Sequence, residues 1–291
     1  MELFRALAVL VEPPQGPEVA RISDALGLGQ PPATSLYTDT FVFQLYPYAS
    51  VYLGAEGMLG GEARDRIAGF LSALGHVPPR EPDHLTLMLG TYAELSESEE
   101  MCADERRRAY LRGARRAFLW EHLLSWLPVY LDKLERIASP FYRRWAEVLR
   151  AALDAEAEAL GHQEALPLHL REAQSLADPR ASSSEEFLQT LLAPARSGMI
   201  LVRDDLARAA QDLQTGVRAG ERRFALRSLM GQDAAGVLGW LAAEADAWES
   251  LHLRRRASHG HVAQWWAARA AATAKLLREL KTDADAAFRI V

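Results

Sequence analysis

Tyr46-Pro47-Tyr48-Ala49-Ser50-Val51-Tyr52-Leu53 is the stretch around which the rest of the chain is organised, and Glu81-Pro82-Asp83-His84 is its short echo. Four of the eight residues in the first run are aromatic or proline. Pro47 ends the helix expected before it, because proline disfavours helix in the residue it follows. An exposed ring gains nothing in water. Rings beside a turn are therefore either core that the turn covers or a surface that binds something apolar.

Working outward, the pattern is helical in both directions. Helices are expected over 1–11, 18–28 and 32–45, where Phe41 and Leu45 share a face. Gly54, Gly57, Gly60 and Gly61 mark a turn region. Over 62–74, Ile67, Phe70, Leu71 and Leu74 recur at helical spacing, with Gly75 as the C-terminal stop. Glu81-Pro82-Asp83-His84 is expected to open a helix reaching about Leu95, with Pro82 first and Asp83 in the first turn, where the helix dipole favours a carboxylate. Ser98 is read as the cap of the next helix, whose arginines (Arg106 to Arg116) form a solvated face, and Pro128 ends it. Helices over 129–137 and 140–160 follow. Ala181-Ser182-Ser183-Ser184 is the clearest linker, which divides the chain into domains 1–180 and 181–291. The second block reads as helices over 185–192, 200–213, 222–229, 233–253 and 261–281. Met199-Ile200-Leu201-Val202 is taken as a helix start, so the fold class is all-α.

Composition narrows the function. The chain has 291 residues, 49% hydrophobic and 25% charged, enough for a core without a disulfide or metal staple. Its formal charge is -6, against the basic stripe of a nucleic-acid binder. The lone Cys102 has no internal partner. No apolar run approaches a membrane span and the N-terminus is not a secretory signal, so the expected location is the cytoplasm. Phosphate-binding glycine loops and the common hydrolase and zinc motifs are absent. His252, His259 and His261 lack a carboxylate or cysteine at ligand spacing, so no metal and no cofactor is expected. Arg115-Arg116-Ala117-Phe118-Leu119 and Arg222-Arg223-Phe224 look like twin-arginine export signatures, but both lie inside expected helices far from the N-terminus.

Three stretches together resemble the TorD/DmsD-type chaperones. Pro47-Tyr48-Ala49-Ser50-Val51-Tyr52-Leu53 is similar to the family's Pro-Trp-x-Ser-Val-Tyr/Trp-Leu segment, with Tyr48 in place of Trp. Glu81-Pro82-Asp83-His84-Leu85 is similar to its Glu-Pro-x-Asp-His signature without the spacer, and the upstream glutamate falls on Val77. His122-Leu123-Leu124-Ser125-Trp126-Leu127-Pro128 followed by Pro140-Phe141-Tyr142 is like its His-Leu-x-x-Trp and Pro-Phe-Tyr-Arg pattern. The likeness covers residues 35 to 160. It implies a helical bundle of the TorD-like type, here with an added C-terminal helical block. It implies a non-enzymatic chaperone that binds the twin-arginine signal peptide and catalytic subunit of a molybdenum oxidoreductase, holding it for molybdopterin insertion before export. It also implies a peptide site of Tyr48, Ser50, Tyr52, Glu81, Pro82, Asp83, His84 and Trp126, and a homodimer among the possible assemblies.

The chemistry of these residues suits that ligand. A signal peptide has a basic end and an apolar middle, so its receptor needs carboxylates and aromatic surface. Asp83 is expected to meet arginine, because a carboxylate takes a guanidinium bidentately. The rival class is a helical enzyme using Asp83 and His84 as an acid–base pair, which predicts a closed polar pocket.

Overall fold

The computed structural model describes residues 2–161, 163–216 and 220–288, with side chains described as far as 283. The turn expected between Gly216 and Gly220 lies largely outside the described residues. The fold is all-α, as expected. Among the described residues no strand forms, and a single antiparallel bridge pairs Tyr48 with His84. Two compact units are present, residues 1–50 with 59–171 and residues 51–58 with 172–291.

In the first unit, Glu2–Val9, Leu85–Met101, Glu105–Ala117, Leu127–Ile137 and Pro140–Leu160 surround a core that includes Tyr92, Phe118, Trp120, Trp126, Tyr130, Tyr142 and Trp145. Pro128 and Pro140 open their helices at positions where no backbone donor is needed. Trp145 donates its indole N–H to the Leu7 carbonyl at 3.0 Å, and Phe4 meets Tyr92 edge-on at 4.9 Å.

One residue of the arginine-rich helix departs from expectation. Arg115 is buried, with Nη1 at 2.8 Å from Glu99, Nη2 at 2.5 Å from Glu156, and Nε at 3.2 Å from the Tyr92 hydroxyl. Its guanidinium ties three helices together, so Arg115 leaves the expected solvated face, on which Arg106, Arg107, Arg108, Arg112 and Arg116 do lie. Ser98 caps nothing: Leu85–Met101 runs through it, and Asp104 caps the next helix by accepting the Arg107 N–H at 2.7 Å. A carboxylate is among the best caps, and Asp104 is the first non-helical residue able to serve.

Two expected α-segments contain wider turns. Thr38–Gln44 and Phe118–Leu123 are π-helical, closed by Leu45 N–H to Thr40 and Leu124 N–H to Leu119 at 2.8 and 2.7 Å. Phe41 and Leu45 are both buried.

In the second unit, Ala234–Arg254 packs along Arg256–Phe288, which bends at Gly260. Met199 to Val202 is not a helix start: it is a buried run outside any helix, extended at Val202, and the helix begins at Arg203. Asp205 accepts the Val202 N–H at 2.8 Å, which fixes the start there. Gly198 before it has φ 78°, and an added Cβ would lie 2.3 Å from the Ala270 backbone nitrogen. Only glycine combines this conformation with so close an approach. His252 is fully buried and its Nε2 donates to the Gly198 carbonyl at 2.8 Å. His252 lies in the helix expected over 233–253, while His259, which fell between the expected helices, belongs to Arg256–Phe288. Among the described residues no group of three histidine, cysteine or acidic side chains is disposed to hold a metal.

Candidate functional site

The sequence echo between Tyr46–Ser50 and Glu81–His84 is a physical pairing. The Ala49 N–H donates to the Asp83 carbonyl at 3.0 Å and the Leu85 N–H to the Pro47 carbonyl at 2.8 Å. This bridge clamps two segments that lie far apart in the chain. Prolines at 47 and 82, both buried, stiffen each arm.

Glu81 to His84 is a turn, not the expected helix start. The His84 N–H closes it onto the Glu81 carbonyl at 3.1 Å, and the helix Leu85–Met101 follows with His84 as its N-cap residue. The bridge holds this segment in an extended pairing that helical torsions would break. Asp83 therefore serves a different helix from the one expected. Its carboxylate accepts the Ser50 N–H at 3.2 Å, in the first turn of Ala49–Leu53. The Ser50 hydroxyl in turn accepts the Gly60 N–H at 3.0 Å.

Tyr48 stands above this pairing. Its hydroxyl donates to Glu81 Oε2 at 3.0 Å, and its ring meets the His84 imidazole edge-on at 4.7 Å. Burial first, then the Glu81 carboxylate, pushes the phenol up to about 12, so it is a donor at neutral pH. His84 Nδ1 lies 3.7 Å from Glu12. Burial lowers the His84 pKa from its ordinary value, opposed by Glu12, Glu81 and Asp83.

An open cleft of about 270 Å³ lies beside these groups, lined by Tyr48, Leu59, Gly60, Arg64, Arg80, Glu81 and Asp83. Tyr48, Ser50, Glu81, Pro82, Asp83 and His84 are thus brought together. Tyr52 and Trp126 are not part of the cleft lining. Tyr52 is 2% exposed and falls in the segment grouped with the second unit. Trp126 is fully buried, donating to the His122 carbonyl at 2.9 Å and packing on Tyr130 at 5.2 Å. The acid–base pair of the rival reading is not assembled, since Asp83 turns to Ser50 and His84 towards Glu12. Sequence reasoning missed Glu12, Arg64 and Arg80. Arg80 adjoins the motif, but Glu12 and Arg64 reach it only through the fold.

Residues 18–132 match the family described as nitrate reductase delta subunit, and this span includes both arms of the bridge. Through this segment the chain is similar to proteins named as TorD chaperones. It is similar to the chaperone protein TorD of Vibrio vulnificus (strain YJ016), with 32% identity over 102 residues, 34% of this chain and 47% of that protein. Against the chaperone protein TorD of Vibrio cholerae (strain O395) it is 33% identical over 91 residues, 30% of this chain and 41% of that protein. The chain thus spans less than half the length of these TorD relatives. Among the described residues, no helix is long and apolar enough to cross a membrane.

Proposed function

We propose that this protein is a non-enzymatic cytoplasmic chaperone that binds the twin-arginine signal peptide of a molybdopterin-containing oxidoreductase and holds the enzyme for cofactor insertion before export. The observation that carries this reading is the bridged pairing of Tyr48 with His84, which places a half-buried ring and an exposed carboxylate on one open cleft within the TorD-like segment. The cleft is open rather than enclosed, as a receptor for an extended peptide requires.

Residues 1–180 act as the chaperone domain, and 181–291 as a helical extension. Tyr48 and Leu59 supply apolar contact, Glu81 supplies charge, and Pro82 with Ser50, Asp83 and His84 shapes the wall. Trp126 supports the site from a buried position. The reading is tested by co-expressing the intact protein with one molybdoenzyme precursor, either complete or with its leader deleted. The complete precursor should co-purify and the leaderless one should be lost. Equal recovery of both would contradict leader recognition.

A further inference from the structure

The two carboxylates of the Glu81–His84 turn are in opposite situations. Asp83 is 2% exposed, and its Oδ2 is already committed to the Ser50 N–H. Glu81 is exposed and stands on the cleft wall, where it accepts the Tyr48 hydroxyl. Resting on the signal-peptide reading above, we propose that Glu81 is the carboxylate that reads an incoming arginine, that the Tyr48 hydroxyl is a displaceable latch upon it, and that Asp83 is a positioning residue.

The division follows from what each contact costs to break. A guanidinium reaching Asp83 must open a buried bond and leave the Ser50 N–H without an acceptor in a low-dielectric site. A guanidinium reaching Glu81 displaces a neutral phenol from an exposed carboxylate. The incoming bonds are charge-assisted from both sides and paired, so they are the stronger set. The released phenol turns to water, while its ring stays beside the peptide.

The remaining wall sharpens the choice. Arg64 is folded onto its own chain, with Nε and Nη2 on the Arg80 carbonyl at 3.2 and 2.9 Å and Nη1 on Asp65 at 2.7 Å. Arg80 is exposed next to Glu81. Two guanidinium groups on the lining disfavour a cation anywhere else in the cleft. Among the lining residues, Glu81 is the one exposed carboxylate, so an arginine side chain has a single favourable seat.

The test uses the intact protein and two synthetic peptides, one with paired arginines ahead of an apolar segment and one with glutamines in their place. Calorimetric affinity and melting temperature are measured for the wild type, Glu81→Gln, Asp83→Asn and Tyr48→Phe. Glu81→Gln should keep the melting temperature and weaken the arginine peptide about tenfold or more, leaving the glutamine peptide unchanged. Tyr48→Phe removes the latch but keeps the ring, and should tighten the arginine peptide by roughly 2- to 10-fold. Asp83→Asn should lower the melting temperature while keeping the preference for arginine. If the wild type prefers arginine but Glu81→Gln retains that preference, or Tyr48→Phe weakens binding, the assignment to Glu81 and its latch is overturned and the signal-peptide reading stands. A wild type that binds neither peptide overturns both.

Discussion

Asp83 does for Ala49–Leu53 what a capping side chain usually does from within its own helix: it accepts a first-turn N–H that would otherwise lack a partner. Because the carboxylate is buried, its loss leaves that donor dry. Asp83→Ala should lower stability by about 1–3 kcal/mol, read from urea midpoints, and Asp83→Asn by less, since the amide oxygen still accepts. An Ala variant as stable as the wild type would show that the bond contributes nothing. Two other buried residues set the pH response. Burial, reinforced by His169 and Arg66, pushes His122 down to about 3, and burial pushes His252 down to about 4. Both are neutral in the fold and bind protons near their usual 6.5 when unfolded. Unfolding then takes up protons below pH 6.5, so this stability is complete above that value and is lost as pH falls towards 4 and 3. Urea midpoints should fall steadily from pH 7 to pH 4.5, and His252→Gln should flatten the slope. A profile that does not change with pH over that range would contradict the burial of both rings. At this scale the two arms that hold Tyr48, Asp83 and His84 were legible, because both resemble segments of one family's signature. The roles of Asp83 and Glu81 were not, since the burial that separates them is a tertiary property.

Long periodic segments were readable because many residues vote for one helix. Pro140–Leu160 forms over the range its Ser139-Pro140 start and Gly161 stop predict. Short-range conflicts were not readable. The π-turns at Thr38–Gln44 and Phe118–Leu123 carry no pattern that separates them from α-helix. Met199 to Val202 has the β-branched residues of an extended run, and its outcome depends on Gly198 lying against Ala270. Two glycines distinguish backbone strain from collision. Gly75 has φ 85° with nothing near its missing Cβ, so Gly75→Ala should cost only about 1–2 kcal/mol. Gly198→Ala adds a collision with backbone that no rotamer relieves, and should cost clearly more, on the order of 3 kcal/mol or above. Equal effects on melting temperature would mean that the helix Arg256–Phe288 shifts freely to make room.

Charge is divided unevenly over the whole molecule. The second unit has 16 basic and 16 acidic side chains, so the entire formal charge of -6 lies in the first, which holds the cleft. Such a surface steers a basic peptide and does so less at high salt. Glu94 and Glu100 are exposed, whereas Glu99 is spent inside on Arg115. Reversing Glu94 and Glu100 together should slow association and flatten its salt dependence, while reversing Glu99 should unfold the helix junction; an unchanged rate in the double variant would remove steering from the account. All-helical architecture and the TorD-like segment were visible in the sequence from the order and spacing of three motifs. The grouping of residues 51–58 with the later half was not, because it rests on contacts such as Gly57 against Ala193, between residues far apart in the chain. The most direct test of the account is a calorimetric titration of wild-type protein and Tyr48→Ala with a signal peptide carrying paired arginines and with its glutamine twin. The wild type should prefer the arginine peptide by about tenfold or more. Tyr48→Ala should bind both peptides more weakly, by about 1–3 kcal/mol, with little change in melting temperature. Equal affinity of the wild type for the two peptides, or a Tyr48→Ala variant that binds as tightly as the wild type, would contradict the account.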